Sequence, residues 1–486
     1  MRKQLTRREF LKAAGIATAG MALSACGVKA TESPTATKLP PTSEPTVTST
    51  PNFANLTACI NTQIEKLTTA YQLTANNREV LAACVDQVKI LNPVNNGETR
   101  AWFLSTSLLK QKDPALADLL GGIPLAIQTS YETWAAPGFK DVTDLHIGCE
   151  FMENENGSDA PMRHNFNFGV ISSEWGHTAF GYNTPNGDRG WADIADYIII
   201  DPNGIATLLT DKLDFSWCED YQSQQALSHL DGSGRRLLLS HLIYPIRSSM
   251  PRGFERLTRE QGIAVMTQYI EFVVNRFKDR FFAYNVTNEF YCTDDNDAQD
   301  VMLKVIGEDY IDIAFETVRK VDPTALTILV QGENHIKDWS VNGINPSQIT
   351  LSVANRLAEK GLIDMVGSQC HIDQGPGSPD YTNIAEMTEV YKSYPVPVFI
   401  SELDANTEEY TNQPDRFLIQ AQRVKGVLQA ALESGSKYFN LWGGFPDELG
   451  WLGPQAASTP WATGWVEKPM YYEILRSLFK NYAKMA

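Results

Sequence analysis

From Asp144 onward the chain repeats one pattern eight times: a short apolar run, then a polar or helical stretch, then the next apolar run. The runs fall at residues 145–151, 166–171, 237–243, 283–286, 326–330, 363–367, 398–400 and 438–441. The run at 237–243 is apolar for most of its length, as a strand buried on both faces must be. Helical stretches lie between most of the runs. The stretch at 263–277 is announced by Thr258-Arg259-Glu260-Gln261, a capping-box start. The stretch at 308–321 is closed by Asp322-Pro323, because proline cannot continue a helix. Eight strands with intervening helices over about 340 residues predict an α/β fold, a (β/α)8 TIM barrel with an N-terminal helical segment.

In such a barrel the chemistry sits at the carboxyl ends of the strands. Those ends carry Glu174, His241, Asn288-Glu289, Gln369 with His371, Glu402 with Asp404, and Trp442. The run at 281–289, F-F-A-Y-N-V-T-N-E, ends abruptly in Asn288-Glu289. A carboxyl group against an apolar wall is suited to donate a proton near neutral pH, and a neighbouring amide can orient a substrate hydroxyl. A second carboxylate, Glu402, stands at the end of another strand. A barrel can bring two such strand ends across one cleft.

The net charge of −17 argues against a nucleic-acid partner, whose phosphates would be repelled. The seven cysteines include no C-x-x-C pair, so a zinc or iron–sulfur cage is not expected. Ten Trp and 18 Tyr serve first to fill a core, although flat rings in clefts also stack on sugar faces.

The first residues read as an address. Thr6-Arg7-Arg8-Glu9-Phe10-Leu11-Lys12 holds a twin arginine ahead of a mildly apolar run, 13–23, too short and too rich in Ala and Gly for a spanning helix. It reads as a twin-arginine export signal. The run ends in Leu23-Ser24-Ala25-Cys26, which resembles a lipobox, with Cys26 as the lipidated mature N-terminus. Residues 27–52 are dominated by Thr, Pro and Ser and predict a disordered stalk. The expected organisation is therefore a signal over 1–26, a linker over 27–52, a helical region over 53–143 and a catalytic barrel over 144–486. The expected location is outside the cytoplasm, on a bacterial membrane, and the expected oligomeric state is a monomer. Export also means oxidising surroundings. Cys59 and Cys84, on adjacent helical patterns, are either a staple or two buried thiols.

Several stretches of the barrel region resemble the family-10 glycoside hydrolases, whose best-known members are endo-1,4-β-xylanases. Asp214-Phe215-Ser216 with Asp220 resembles that family's segment before strand three, and Ser240-His241-Leu242-Ile243-Tyr244-Pro245 keeps the spacing of its His and Pro. Tyr284-Asn285-Val286-Thr287-Asn288-Glu289 is similar to the acid/base signature W-D-V-V-N-E. Val366-Gly367-Ser368-Gln369-Cys370-His371 resembles G-x-Q-x-H, and Phe399-Ile400-Ser401-Glu402-Leu403-Asp404 resembles the nucleophile signature I-T-E-L-D. The resemblance extends through Tyr438–Leu441 to Trp442 and Trp451.

The resemblance implies Glu402 as nucleophile and Glu289 as general acid and then base, with His371 holding Glu402 and Asp404 fixing the imidazole. It implies Asn288 on the sugar 2-hydroxyl, and His241, Gln369, Glu174, Trp442 and Trp451 lining the sugar site. A two-Glu mechanism of this kind needs no cofactor or metal. The chain departs from the pattern around the sugar-gripping periphery. Ser173–Thr178 keeps Glu174 but lacks the Asn and Lys of E-N-x-x-K. Ser240 stands where the family has Trp, Arg235-Arg236 where it has G-H, and Gln331-Gly332-Glu333-Asn334 where it has N-D-Y-N. The expected function is a retaining endo-glycosidase acting on xylan. The competing readings are a related barrel hydrolase for another β-linked glycan, and a lipid-anchored sugar-binding protein without turnover.

Overall fold

In a computed structural model of the chain, eight parallel strands close into a barrel. The structure describes residues 53–91, 100–104, 106–120, 124–128, 134–135, 138–150, 164–172, 192–213, 215, 237–278, 280–291, 300–340, 343–372, 379–443 and 446–485. The strands are β1 His146–Glu150, β2 Phe168–Ser172, β3 Leu237–Ser240, β4 Phe281–Asn288, β5 Leu326–Gln331, β6 Met365–Ser368, β7 Val398–Ala405 and β8 Tyr438–Leu441. Each pairs in parallel with the next. The ring closes where β8 meets β1, with Tyr438 opposite His146 and Leu441 opposite Cys149. Between β6 and β7 the register sets Val366 against Val398 and Ser368 against Ile400.

Among the described residues, six helices of ten or more residues flank the later strands: α1 Arg259–Phe277, α2 Tyr310–Val321, α3 Pro346–Glu359, α4 Ile384–Ser393, α5 Arg416–Glu433 and α6 Pro469–Met485. Their starts follow from local chemistry. At α1 the Thr258 hydroxyl accepts from the Gln261 N–H at 3.3 Å, while the Gln261 amide oxygen accepts from the Thr258 N–H at 3.0 Å. At α3 Asn345 accepts from the Gln348 N–H at 3.1 Å, with Pro346 in the first turn. The buried stripe Val265, Met266, Tyr269, Ile270, Val273, Val274 and Phe277 keeps the three-to-four spacing of a helix facing a sheet.

The barrel interior is packed solid. Phe168, Val170, Leu238, Ala283, Ile328, Val330, Met365 and Phe399 form one cluster inside the ring. Two glycines make room for it. A Cβ on Gly148 would lie 2.4 Å from the Phe168 ring, and one on Gly367 would lie 2.5 Å from a Val330 methyl. A second, larger core lies between the strands and the surrounding helices.

The helical expectation for residues 53–143 holds for Phe53–Tyr71, Ala75–Cys84, Thr106–Lys112 and Pro114–Leu120. It fails between them. Val85–Leu91, Arg100–Leu104, Pro124–Gln128 and Trp134–Ala135 form a four-stranded antiparallel sheet. The physical signal was present in the sequence: Asn96-Gly97 separates the first two strands, and this dipeptide favours hairpins. Cys84 is a buried free thiol, so the staple with Cys59 is not formed.

This N-terminal segment shares the outer core of the barrel. Ile64, Leu67, Leu81, Leu116 and Leu120 are buried in it. Lys66 pairs with Glu467, Tyr71 meets Tyr472 with ring centroids 6.0 Å apart, and Arg476 of α6 donates to the Leu119 carbonyl at 2.8 Å. Cys26, the linker over 27–52, Glu174 and the segments 173–191 and 216–236 lie outside the described residues.

Candidate active site

The carboxyl ends of β4, β6 and β7 bring six of the singled-out residues, Asn288, Glu289, Gln369, His371, Glu402 and Asp404, into one connected group. On β7, Glu402 and Asp404 are two residues apart and therefore project to the same side of the sheet. His371 stands between them. Its Nδ1 lies 3.0 Å from Asp404 Oδ1 and its Nε2 lies 3.1 Å from Glu402 Oε2. Burial alone would lower the His371 pKa, but the Asp404 and Glu402 carboxylates outweigh it and raise the imidazole well above its ordinary value. As the cation, His371 donates from both nitrogens and fixes both carboxylates.

The backbone explains how residues 369–371 reach this position. Cys370 adopts a left-handed φ of 59°. Its thiol points into the wall behind the cleft, 3.3 Å from both the Ser368 hydroxyl and the Tyr391 hydroxyl. Burial pushes that thiol up to about 12, so it is not a thiolate. Gln369 and His371, on either side of it, reach the cleft. Gln369 Nε2 donates to Glu289 Oε1 at 3.0 Å and to Asn288 Oδ1 at 3.3 Å, while its carbonyl accepts from the Glu402 N–H at 3.1 Å. One residue thus touches both strand ends that carry a glutamate.

Glu289 follows the last residue of β4 and has a left-handed φ of 47°. For a non-glycine residue this conformation costs on the order of 1–3 kcal/mol and must be held by its surroundings. Three contacts do so. The Glu289 N–H donates to the Val330 carbonyl at 3.2 Å, Gln331 Nε2 donates to the Phe290 carbonyl at 3.1 Å, and the Tyr291 N–H donates to Asp300 Oδ2 at 2.8 Å. Asp300 also accepts from the Tyr310 hydroxyl at 2.9 Å and caps the short helix Val301–Val305.

His241, just past β3, is buried, and its peptide bond to Ser240 is cis. Both of its ring nitrogens and Glu402 Oε1 are buried without a protein hydrogen-bond partner. His241 Nε2 is 4.0 Å from that oxygen. Buried polar atoms left unpaired cost free energy, and their clustering here marks a slot shaped for hydroxyl groups. Asn288 Oδ1 accepts from Gln369 and, at 3.4 Å, from Asn285 Nδ2. With the oxygen so occupied, the amide nitrogen of Asn288 is the end left to donate to a ligand.

Trp442 and Trp451 stand against His371, with ring centroids 6.3 and 5.1 Å away. Trp451 also donates from its indole nitrogen to Asp404 Oδ2 at 2.5 Å. Sequence reasoning missed that contact, together with Asp300 and the Gln331 bridge. Only Asp300 had a local signal, as an Asp directly before a short helix. Ser240 and Asn285, both at positions that depart from the family pattern, bond to each other at 3.1 Å. Among the described residues no group of three or more His, Cys, Asp or Glu is arranged to hold a metal ion.

The barrel region that carries this group is similar to known proteins. Residues 247–477 match the model of glycosyl hydrolase family 10, a span that holds Glu289, Gln369, His371, Glu402, Asp404, Trp442 and Trp451. The chain is 28% identical over 206 residues to endo-1,4-beta-xylanase A of Thermotoga neapolitana, covering 40% of this chain and 18% of that protein. It is 29% identical over 224 residues to endo-1,4-beta-xylanase D of Talaromyces funiculosus, covering 44% and 52%. The chain therefore spans only about a fifth to a half of these curated relatives. The crystal structure of native xylanase 10B from Thermotoga maritima superposes with a TM-score of 0.53 at 20% identity, covering 71% of this chain and 99% of that one. At that identity the likeness speaks for the barrel alone. The family match over residues 247–477 and the xylanase relatives support the barrel as that of a divergent member of glycosyl hydrolase family 10.

Proposed function

We propose that this protein is a retaining endo-1,4-β-xylanase that works by double displacement. The observation that carries the reading is the linkage of the two glutamates: Glu402, held by His371, and Glu289, held by Gln369, with Gln369 touching both. Glu402 attacks the anomeric carbon while the Glu289 carboxyl gives its proton to the departing glycosidic oxygen. The bond from Glu402 to the sugar forms as the bond to the leaving group breaks. Glu289, now a carboxylate, takes a proton from water. That water opens the glycosyl–enzyme bond, and the configuration at the anomeric carbon is retained. The Asn288 amide and His241 would meet sugar hydroxyls, and Trp442 and Trp451 would flank the ring. Such contacts accelerate the reaction to the extent that they tighten in the transition state.

Xylan as substrate is supported by the names of the relatives given above, which are xylanases. The test is incubation of the purified protein with xylan, mixed-linkage glucan and an aryl β-xyloside. Release from xylan with retained anomeric configuration is expected. Release from glucan alone would move the substrate to another β-linked glycan, and no release from any of them would overturn the enzyme reading. We further propose export through the twin-arginine signal and lipid anchoring at Cys26. If a Cys26→Ser variant fractionates with membranes as the parent does, the anchor is ruled out.

A further inference from the structure

We propose that Trp451 is a positioning residue, whose indole N–H holds Asp404 and, through Asp404 and His371, fixes the Glu402 carboxylate. The inference rests on the reading of Glu402 as the nucleophile and adds to Trp451 a role distinct from contact with sugar.

Asp404 is 1% exposed, so each of its oxygens needs a donor inside the protein. His371 Nδ1 serves Oδ1 at 3.0 Å, and Trp451 Nε1 serves Oδ2 at 2.5 Å. A hydrogen bond of that length to a carboxylate is charge-assisted. It draws part of the Asp404 charge away from His371. The strength with which Asp404 pulls on the imidazole, and hence the orientation of His371 toward Glu402 Oε2, then depends on Trp451.

The loop that carries Trp451 is built as a fixed support. Its base is fastened to the end of β7, the strand that bears Glu402 and Asp404. The Ala405 N–H donates to the Ser458 carbonyl at 3.0 Å, and the Thr407 N–H donates to the Ala456 carbonyl at 2.8 Å. Gln420 Nε2 bridges the Ala405 and Ala457 carbonyls at 2.7 and 2.8 Å. Beneath the loop, buried Lys468 donates to both oxygens of Asp447, at 2.9 and 2.8 Å, and to the Ala457 carbonyl at 2.7 Å. Asp447 in turn accepts from the Thr459 N–H and hydroxyl. A ring needed only as a sugar wall requires no such foundation. A ring whose N–H must meet one carboxylate oxygen does.

The experiment uses the full chain with Trp451→Phe and, beside it, 3-benzothienylalanine at position 451, which keeps the bicyclic ring and lacks the N–H. Two readouts are taken: kcat and KM on an aryl β-xyloside, and the His371 Nδ1–H proton resonance. The expected result for the sulfur isostere is a roughly tenfold fall in kcat with KM within about twofold. The His371 Nδ1–H signal should move downfield, because Asp404 then directs its charge at the imidazole alone. A rise in KM with kcat unchanged assigns Trp451 to sugar contact only and overturns the proposal. So does an unmoved His371 resonance. If the parent protein turns over no glycan, the xylanase reading falls by itself, and the His371 resonance still decides whether Trp451 holds the Asp404–His371 pair.

Discussion

The two strand ends that carry the glutamates are built differently. Glu402 lies inside β7, is 4% exposed, and faces the His371 cation, which is held by Asp404, itself bonded to Trp451. Glu289 lies one residue beyond β4, half-buried, on a left-handed backbone, and its carboxylate accepts from the neutral amide of Gln369. The difference matches two tasks. A group that must remain an anion and attack along one line gains from a rigid, charged surround. A group that must exchange protons with a leaving oxygen and then with water gains from access to solvent and a neutral one. In the proposed mechanism the β7 end sets geometry and the β4 end handles the proton.

The sharpest way to break this comparison is by leaving group. Glu402→Ala is expected to cut kcat by on the order of 10⁴-fold or more on every substrate. Glu289→Ala should cost about 10²–10⁴-fold on xylan, and far less on an aryl xyloside whose phenol departs without a proton. Steady-state rates over a series of phenols measure this. Equal leaving-group sensitivity in the two variants would erase the division of tasks.

A buried and an exposed ion pair should differ in their weight for stability as well. Lys468→Met leaves Asp447 buried without its cation and is expected to lower the unfolding free energy by about 3–5 kcal/mol. Arg259→Ala, which removes an exposed pair with Asp309, should shift the urea midpoint far less. Urea unfolding curves read both.

The pH dependence gives a finer contrast. Behind β6, burial lowers His335 to about 3, so the folded protein binds fewer protons there than the unfolded chain between that value and about 6.5. Stability from this group is present above pH 6.5 and is lost as pH falls toward 3, by up to a few kcal/mol. On the β4 side, burial raises Asp300 to about 6 against hydrogen bonds that lower it. Its contribution has the opposite sign: it is full below pH 3.8 and is lost as pH rises through 6. His335→Gln should therefore flatten the acid loss of the urea midpoint, whereas Asp300→Asn should steepen it. Parallel slopes in the two variants would show that the two ends are not separately buffered.

Much of the barrel was legible because its strands are short apolar runs bounded by good helix starts. The reading went short where chemistry interrupts the pattern. The apolar run at 398–400 is the first part of β7, which continues to Ala405 through Ser401, Glu402 and Asp404. Likewise β4, Phe281–Asn288, keeps Asn285, Thr287 and Asn288 inside the strand. Polar residues inside a barrel strand look like a strand's end in sequence, and here they are the site. The glutamates were visible as residues at strand ends. Their supports were not, because Trp451 meets Asp404 across 47 residues and Lys468 meets Asp447 across 21, and no local pattern encodes such a meeting. The N-terminal sheet was missed because its strands are brief and sit beside true helices.

One pair of adjacent residues ties the two parts of the chain together. Glu467 takes the ion pair from Lys66 in the first described helix, and the next residue, Lys468, is the buried clamp under the Trp451 loop. The N-terminal segment is thus a buttress for the cleft as well as a neighbour of it. Trimming the chain to its barrel would remove the outer prop from the stretch that holds the inner one, so the cost of such a deletion should appear in turnover as well as in solubility.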